Sequence, residues 1–157
     1  MWIVAYASLM DKELLKGKSH RLVIVRGWKR VFNKAASRAA WRQHAKDDEI
    51  AAANAVRSPG SYFNGVAYEI SDEELDGLKQ REKDYHTETA DAYDPETNEK
   101  LAGCIIFVSN KEKVRDDIKP IKEYAEFCRK AAYSWGEDFG KEYDRTTFLA
   151  DGTRIAR

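Results

Sequence analysis

Cysteine is scarce in this 157-residue chain, which has only Cys104 and Cys128, one in an apolar run and the other on an apolar helical stripe. That excludes a disulfide framework and reads as two core thiols in a reducing cytoplasm. Long hydrophobic runs are missing as well. The stretch from Cys104 to Val108 is far too short to span a membrane, and the opening "MWIVAY" lacks the basic flank and cleavage-like site of a signal peptide, so it reads as a strand. His20, His44 and His86 show no metal-ligand spacing, and no metal or other cofactor is expected. There is no repeat, no low-complexity segment and no linker long enough to divide the chain, so residues 1–157 read as a single domain with a core of its own.

Net charge is absent too, with 27 basic residues against 27 acidic ones, but the two signs are segregated. From Arg21 to Lys46 there are eight Lys or Arg and no acid, whereas Ser71 to Glu99 holds eleven acids against three basic residues. The basic stretch also carries Trp28, Phe32 and Trp41, a mixture found on nucleic-acid surfaces. Its cations are spread over strand-like and irregular segments without a binding motif. A solvated face, or a site for a small anionic ligand, is the better reading, and neither nucleic acid nor membrane is expected as a partner.

Periodicity gives the elements. Trp2 to Tyr6 reads as a strand, Asp11 to Lys16 as a short helix, and Arg21 to Trp28 as a strand that turns at Gly27 and continues to Asn33. Ile50 to Val56 and Tyr62 to Ile70 read as strands on either side of a "SPGS" turn. Tyr85 to Tyr93 and Leu101 to Val108 follow, divided by "DPETNEK". Ile118, Ile121, Ala125, Cys128, Ala132 and Trp135 mark the buried face of a long helix, with Pro120 in its first turn and Gly136 just past its end; a tail follows. Many strands with two or three helices, in no regular alternation, point to an α+β fold: a mixed, barrel-like β-sheet covered by helices.

Within this order "SDEELDGLKQREKDY" stands out. Ser71 is a good N-cap, Glu74 completes a capping box, and Ile70 can staple onto Leu75. In the register so fixed, Leu75, Leu78, Glu82 and Tyr85 share one face, while Lys79, Arg81 and Lys83 point away from it. A carboxylate on an apolar stripe has two readings: a structural glutamate tied to a distant arginine or to backbone amides, or a general base held partly dry so that its proton affinity rises.

The second informative stretch is "VAYASLMDKELL", where an apolar strand ends in Tyr6, two small residues and Leu9 before a helix begins. Small residues let a ligand approach the backbone, and amides at such a turn can cradle a carboxylate or a developing oxyanion. The competing reading is a plain strand end capped by Ser8 or Asp11. Two other layouts fail: "RE" within a helix resembles part of a Nudix box but lacks the second acidic pair, and Ser8 has no evident base for a serine hydrolase.

Taken in order, these residues carry a family resemblance. "VAYASLM" resembles the Tyr-Gly-Ser loop that opens members of the gamma-glutamylcyclotransferase-like superfamily, which includes the glutathione-acting ChaC-type enzymes. "GWKRVFN" resembles the segment that follows. "FNGVAYEISDEELDGLKQREKDY" is similar to the family's strand, helix and catalytic glutamate, with "LKQREKDY" close to the ChaC-type version. The likeness runs from Trp2 to Val108, and "TTFLADG" is similar to tails of bacterial members.

The resemblance implies that Glu82 is the general acid/base and that Tyr6, Ala7, Ser8 and Leu9 form the loop holding a γ-glutamyl group. Tyr85 falls near an aromatic hydroxyl that often lines the family's site. Ala7 departs from the pattern, standing where the family usually has Gly; a positive φ there would strain an alanine. The implied reaction is cyclisation of a γ-glutamyl compound to release 5-oxoproline, without cofactor, by a cytoplasmic protein acting as a monomer or homodimer. The alternative is a noncatalytic binding protein of the same fold for a γ-glutamyl or other small anionic ligand.

Overall fold

The computed structural model describes residues 1–36 and 50–155. Its first strand, β1 (Trp2–Ala5), is nearly all apolar because it is central. On one side it pairs antiparallel with β3 (Ile50–Glu69), Val4 opposite Ala67, and on the other it pairs parallel with β5 (Lys100–Ser109), Ile3 opposite Ile105. The β3 strand can lie this close to β1 because of Gly65: a Cβ there would sit 2.7 Å from the Ala5 carbonyl oxygen. Ala5 is also the residue from which the chain turns into the Tyr6–Leu9 loop.

The remaining strands among the described residues are β2 (His20–Ala36), β4 (Tyr85–Tyr93) and β6 (Thr147–Leu149). The sheet order β3-β1-β5-β4-β2 closes on itself through a β2–β3 pairing, making a mixed barrel, and β6 adds parallel to β2 alongside Arg30 to Phe32. The architecture is therefore the α+β, helix-covered barrel expected from the element order. Phe32, Phe63, Ile3, Val23, Val25, Val66 and Ile106 fill its core.

Among the described residues four α-helices complete the fold: α1 (Lys12–Leu15), α2 (Asp72–Arg81), α3 (Lys122–Tyr133) and α4 (Glu137–Arg145). The capping box at Ser71 and Glu74 is present in both directions. α3 lies against α4 and against the 3₁₀ turn Ser8–Met10 that follows Tyr6 and Ala7.

Several expected boundaries need correction. The stretch "SPGS" does not separate two strands; β3 runs through it as one 20-residue strand. Arg26 pairs with Tyr62 and Trp28 with Arg57, so Ser58, Pro59, Gly60 and Ser61 face Gly27 alone, in a bulge where Pro59 owes no ladder hydrogen bond. The helical face shared by Leu75, Leu78, Glu82 and Tyr85 stops short of its last two members: α2 ends at Arg81 with Glu82 as its C-cap, and Tyr85 opens β4, the strand read over Tyr85 to Tyr93. The C-terminal part is not one long helix and a tail, because Gly136, with φ at 124°, turns the chain into α4 and then β6. Ile118 and Trp135 flank α3 instead of lying on it, and its buried residues are Tyr124, Cys128, Ala131 and Ala132.

The segregated charges meet across the barrel. Arg21 pairs with Asp94 at 3.4 Å and Glu99 at 3.2 Å, and Lys34 with Asp84 at 3.0 Å. Other cations of β2 lie on aromatic rings, Arg26 over Tyr93 at 4.1 Å and Lys29 over Phe148 at 4.1 Å. Trp41 and His44, with the end of the basic stretch, lie outside the described residues.

Candidate active site

One pocket gathers the six residues that the family resemblance put forward as a site. Tyr6, Ala7, Ser8, Leu9, Glu82 and Tyr85 line it together with Val4, Ala53, Phe107 and Tyr124, around about 380 Å³ counted to its open mouth. β1 delivers the loop, the end of α2 delivers Glu82, and the first residue of β4 delivers Tyr85. Phe107 comes from β5 and Tyr124 from α3.

Glu82 is the C-cap of α2. Its amide still donates to the Leu78 carbonyl at 2.9 Å, but φ −105° and ψ 56° take the chain out of the helix. The side chain is half-buried, and among the described residues its carboxylate has no hydrogen bond or ion pair. Burial raises its pKa above the ordinary glutamate value, and the cations of Arg81 and Lys34 offset part of that rise. Of the two readings open in the sequence, a glutamate tied to a distant arginine or to amides does not match these surroundings.

Two tyrosines have their hydroxyl protons committed. Tyr6 donates to the Phe107 carbonyl at 2.7 Å and Tyr85 to the Ala53 carbonyl at 2.7 Å. Burial raises the pKa of both, and the nearby Glu82 charge raises it further, so both stay neutral phenols. Their rings form rigid apolar walls beside the acid, and the Lys34 ammonium sits 5.1 Å from the Tyr85 ring centroid.

The loop is held at both ends. Past Tyr6 it coils into the 3₁₀ turn, with the Met10 amide donating to the Ala7 carbonyl at 2.9 Å, and the Trp135 indole donates to the Met10 carbonyl at 2.8 Å. Asp11 caps α1 by accepting from the Glu13 amide at 3.2 Å. Ala7 has φ −149°, outside the left-handed region, so the conditional expectation of positive-φ strain does not apply to it.

Sequence reasoning missed Arg30. Fully buried beneath the loop, its guanidinium donates to the Tyr6 carbonyl at 3.0 Å, the Asn64 carbonyl at 2.6 Å, the Asn64 side chain at 2.8 Å, Thr146 Oγ1 at 2.7 Å and Thr147 Oγ1 at 2.8 Å. It lies 4.2 Å from the Tyr143 ring centroid. Burial lowers its pKa to about 10, which leaves it charged at neutral pH. Among the described residues no carboxylate touches it; carbonyls, an amide and hydroxyls carry the charge instead. In the sequence it was one cation among eight, and nothing local marked it. Tyr124, also missed, was findable, since it stands four residues before Cys128 on the buried face of α3.

No group of three or more His, Cys, Asp or Glu among the described residues is placed to hold a metal ion. No helix among them is long and apolar enough to cross a membrane.

Comparisons with known proteins agree with this architecture. The family model described as ChaC-like protein matches residues 1–138. A solved structure of a gamma-glutamyl cyclotransferase is similar with a TM-score of 0.70 at 14% identity, over 100% of this chain and 93% of that one. The YkqA protein of Bacillus subtilis is similar with a TM-score of 0.67 at 17% identity; 92% of this chain is covered, and it spans about half of that protein, 53%. A yeast gamma-glutamyl cyclotransferase specific to glutathione is similar with a TM-score of 0.54 at 11% identity, over 93% and 89% of the two chains. At these identities the likeness is one of fold. No curated protein matches the sequence.

Proposed function

The chain belongs to the ChaC-like protein family, and from that premise we propose that it is a γ-glutamyl cyclotransferase in which Glu82 moves the protons and the Tyr6–Leu9 loop holds the γ-glutamyl group. The observation that carries this reading is the Glu82 carboxylate, without a partner among the described residues and in one pocket with that loop.

The reaction is an internal acyl transfer. The α-amine of the γ-glutamyl unit attacks its own γ-carbonyl, a five-membered ring closes, and the bond to the leaving nitrogen breaks. 5-Oxoproline and a free amine result. Because nucleophile and electrophile share one molecule, the protein has to fold the substrate, carry a proton and stabilise an oxyanion. Glu82 takes a proton from the ammonium, freeing the lone pair that attacks, and returns it to the leaving nitrogen. Its raised proton affinity suits both halves of that task. In this reading the backbone amides of the loop meet the oxygen that gains charge, and the rings of Tyr6, Tyr85 and Phe107 line the pocket beside the acid.

The test is direct. A panel of γ-glutamyl amino acids, γ-glutamylamines and glutathione, incubated with the protein in the presence of a chelator, should release 5-oxoproline from at least one compound. Binding without turnover across the whole panel would replace this reading with that of a noncatalytic γ-glutamyl binding protein.

A further inference from the structure

A cation in a barrel core with no carboxylate beside it is costly, and Arg30 is such a cation among the described residues. Its countercharge is the end of α4. Thr146 Oγ1 accepts from Arg30 Nη2 at 2.7 Å and donates to the Glu142 carbonyl at 2.7 Å. Thr147 Oγ1 accepts from Nε at 2.8 Å and donates to the Tyr143 carbonyl at 2.5 Å. Both hydroxyls relay the last carbonyls of the helix, where the negative end of its dipole lies. The Asn64 side chain accepts from the same guanidinium at 2.8 Å and donates to the Phe139 carbonyl at 2.9 Å. α4 is thus tied to this one cation through Thr146, Thr147 and Asn64.

The guanidinium has one tie to the site. Nη1 donates to the Tyr6 carbonyl at 3.0 Å. That carbonyl shares a peptide unit with the Ala7 N–H, and the unit is trans, so the N–H is directed opposite to the carbonyl and away from Arg30. Ala7 lines the pocket of Glu82, and the amides of Ala7, Ser8 and Leu9 have no acceptor among the described residues. A charge held on the carbonyl side of a peptide also polarises its N–H and strengthens it as a donor.

We propose that Arg30 is a positioning residue for the reaction: held by Thr146 and Thr147 at the end of α4, it fixes and polarises the Tyr6–Ala7 peptide so that the Ala7 N–H meets the γ-carbonyl oxygen as that oxygen gains charge. This rests on the cyclotransferase reading and gives the C-terminal segment a part in it. Arg30 touches no substrate; its effect passes through one peptide plane. The contact strengthens as charge builds on the oxygen, so it belongs to the transition state more than to the bound substrate.

The experiment reads kinetics and one amide together. Thr146→Val and Thr147→Val, singly and as a pair, keep the shape of each side chain and remove its hydroxyl; Thr146→Ser and Thr147→Ser keep the hydroxyl. Each variant is assayed where its melting curve shows it fully folded, with the γ-glutamyl compound that the parent turns over best. The valine pair should lower kcat about tenfold with KM within about twofold, a partial form of losing an oxyanion donor, and the serine pair should match the parent. If the valine pair does not fold, each single valine carries the test with a loss of about threefold in kcat. The second readout is the amide resonance of Ala7 during titration with 5-oxoproline, whose ring carbonyl carries the oxygen in question. It should move downfield in the parent and markedly less in the valine variants. An unchanged kcat in folded valine protein, a rise in KM alone, a serine pair as slow as the valine pair, or an Ala7 amide indifferent to 5-oxoproline overturns the positioning role and leaves the catalytic reading standing. If no γ-glutamyl compound turns over in the parent, the catalytic reading falls, and the Ala7 titration decides whether Arg30 holds that amide for a bound ligand.

Discussion

Arg30 Nη1 donates to the Tyr6 carbonyl at 3.0 Å, tying the start of the site loop to a buried cation that also holds Asn64, Thr146 and Thr147. Through this one side chain the C-terminal segment supports a loop more than a hundred residues away in sequence. Arg30→Met should strand several buried acceptors and cost about 3–5 kcal/mol. Thr147→Val removes one partner and should cost about 1 kcal/mol, a shift of roughly 2–4 °C for a chain of this size. Thermal denaturation of both variants checks the ordering, and an Arg30→Met protein as stable as its parent would contradict it.

The backbone at Ala7 makes a second case. With φ at −149° Ala7 lies outside the left-handed region that favours glycine, so Ala7→Gly gains nothing from access to a positive φ. Turnover should stay within about threefold of the parent, and stability should fall by up to about 1 kcal/mol as the loop gains freedom when unfolded. Ala7→Val should depress turnover by crowding the pocket. A Gly variant many times faster in a 5-oxoproline assay would show that the loop is strained after all.

Proton affinity gives a pH profile. Burial raises the Glu82 pKa, while Arg81 and Lys34 oppose the rise, so kcat/KM should fall on the acid side at a pH above the ordinary glutamate range. Lys34→Met should move that limb to still higher pH. The stability effect has the opposite sense from a salt-bridged acid. A carboxyl whose folded pKa is raised stabilises the fold fully below its unfolded pKa and loses that contribution as pH rises through the folded value. Glu82→Gln should therefore be favoured over the parent at neutral pH, and the gap in melting temperature should close as the solution is acidified into the range of an ordinary glutamate.

How much of this the sequence could reveal depended on the range of the forces involved. The Ser71 cap was legible because its partner Glu74 is three residues away. The loop after β1 was visible as small residues between an apolar strand and a capped helix. Tyr85 carries two signals: its spacing from Glu82 continues the helical period, yet it opens the strand read over Tyr85 to Tyr93, and it is from that strand, β4, that it reaches the same pocket. The turn signal at Ser58 to Ser61 was real chemistry used for a bulge instead of a hairpin, which only the partner residue Gly27 decides. α4 escaped because its buried stripe is thin, Gly140 and Tyr143 with half-buried Phe139, and the glycine weakens the helical signal. Arg30 was illegible for the deepest reason: its partners Thr146 and Thr147 lie 116 and 117 residues away.

Glu82→Leu would extend the apolar Leu78 side of α2, and the carboxylate it removes has no partner among the described residues to strand. The variant should melt at or above the parent temperature and be inactive, since a structural glutamate would instead leave a buried partner behind. A clear loss of stability would point to that structural role.

The most direct measurement is 5-oxoproline release by Glu82→Gln, with its melting temperature taken on the same sample. The amide keeps the size and shape of the side chain and removes only its capacity to carry the proton. Turnover should fall by about a hundredfold or more, the scale of a lost general base, while the melting temperature holds or rises. A glutamine protein that still turns over substrate at a rate near that of its parent, or one whose activity falls only as far as its folded fraction, would contradict the assignment of Glu82.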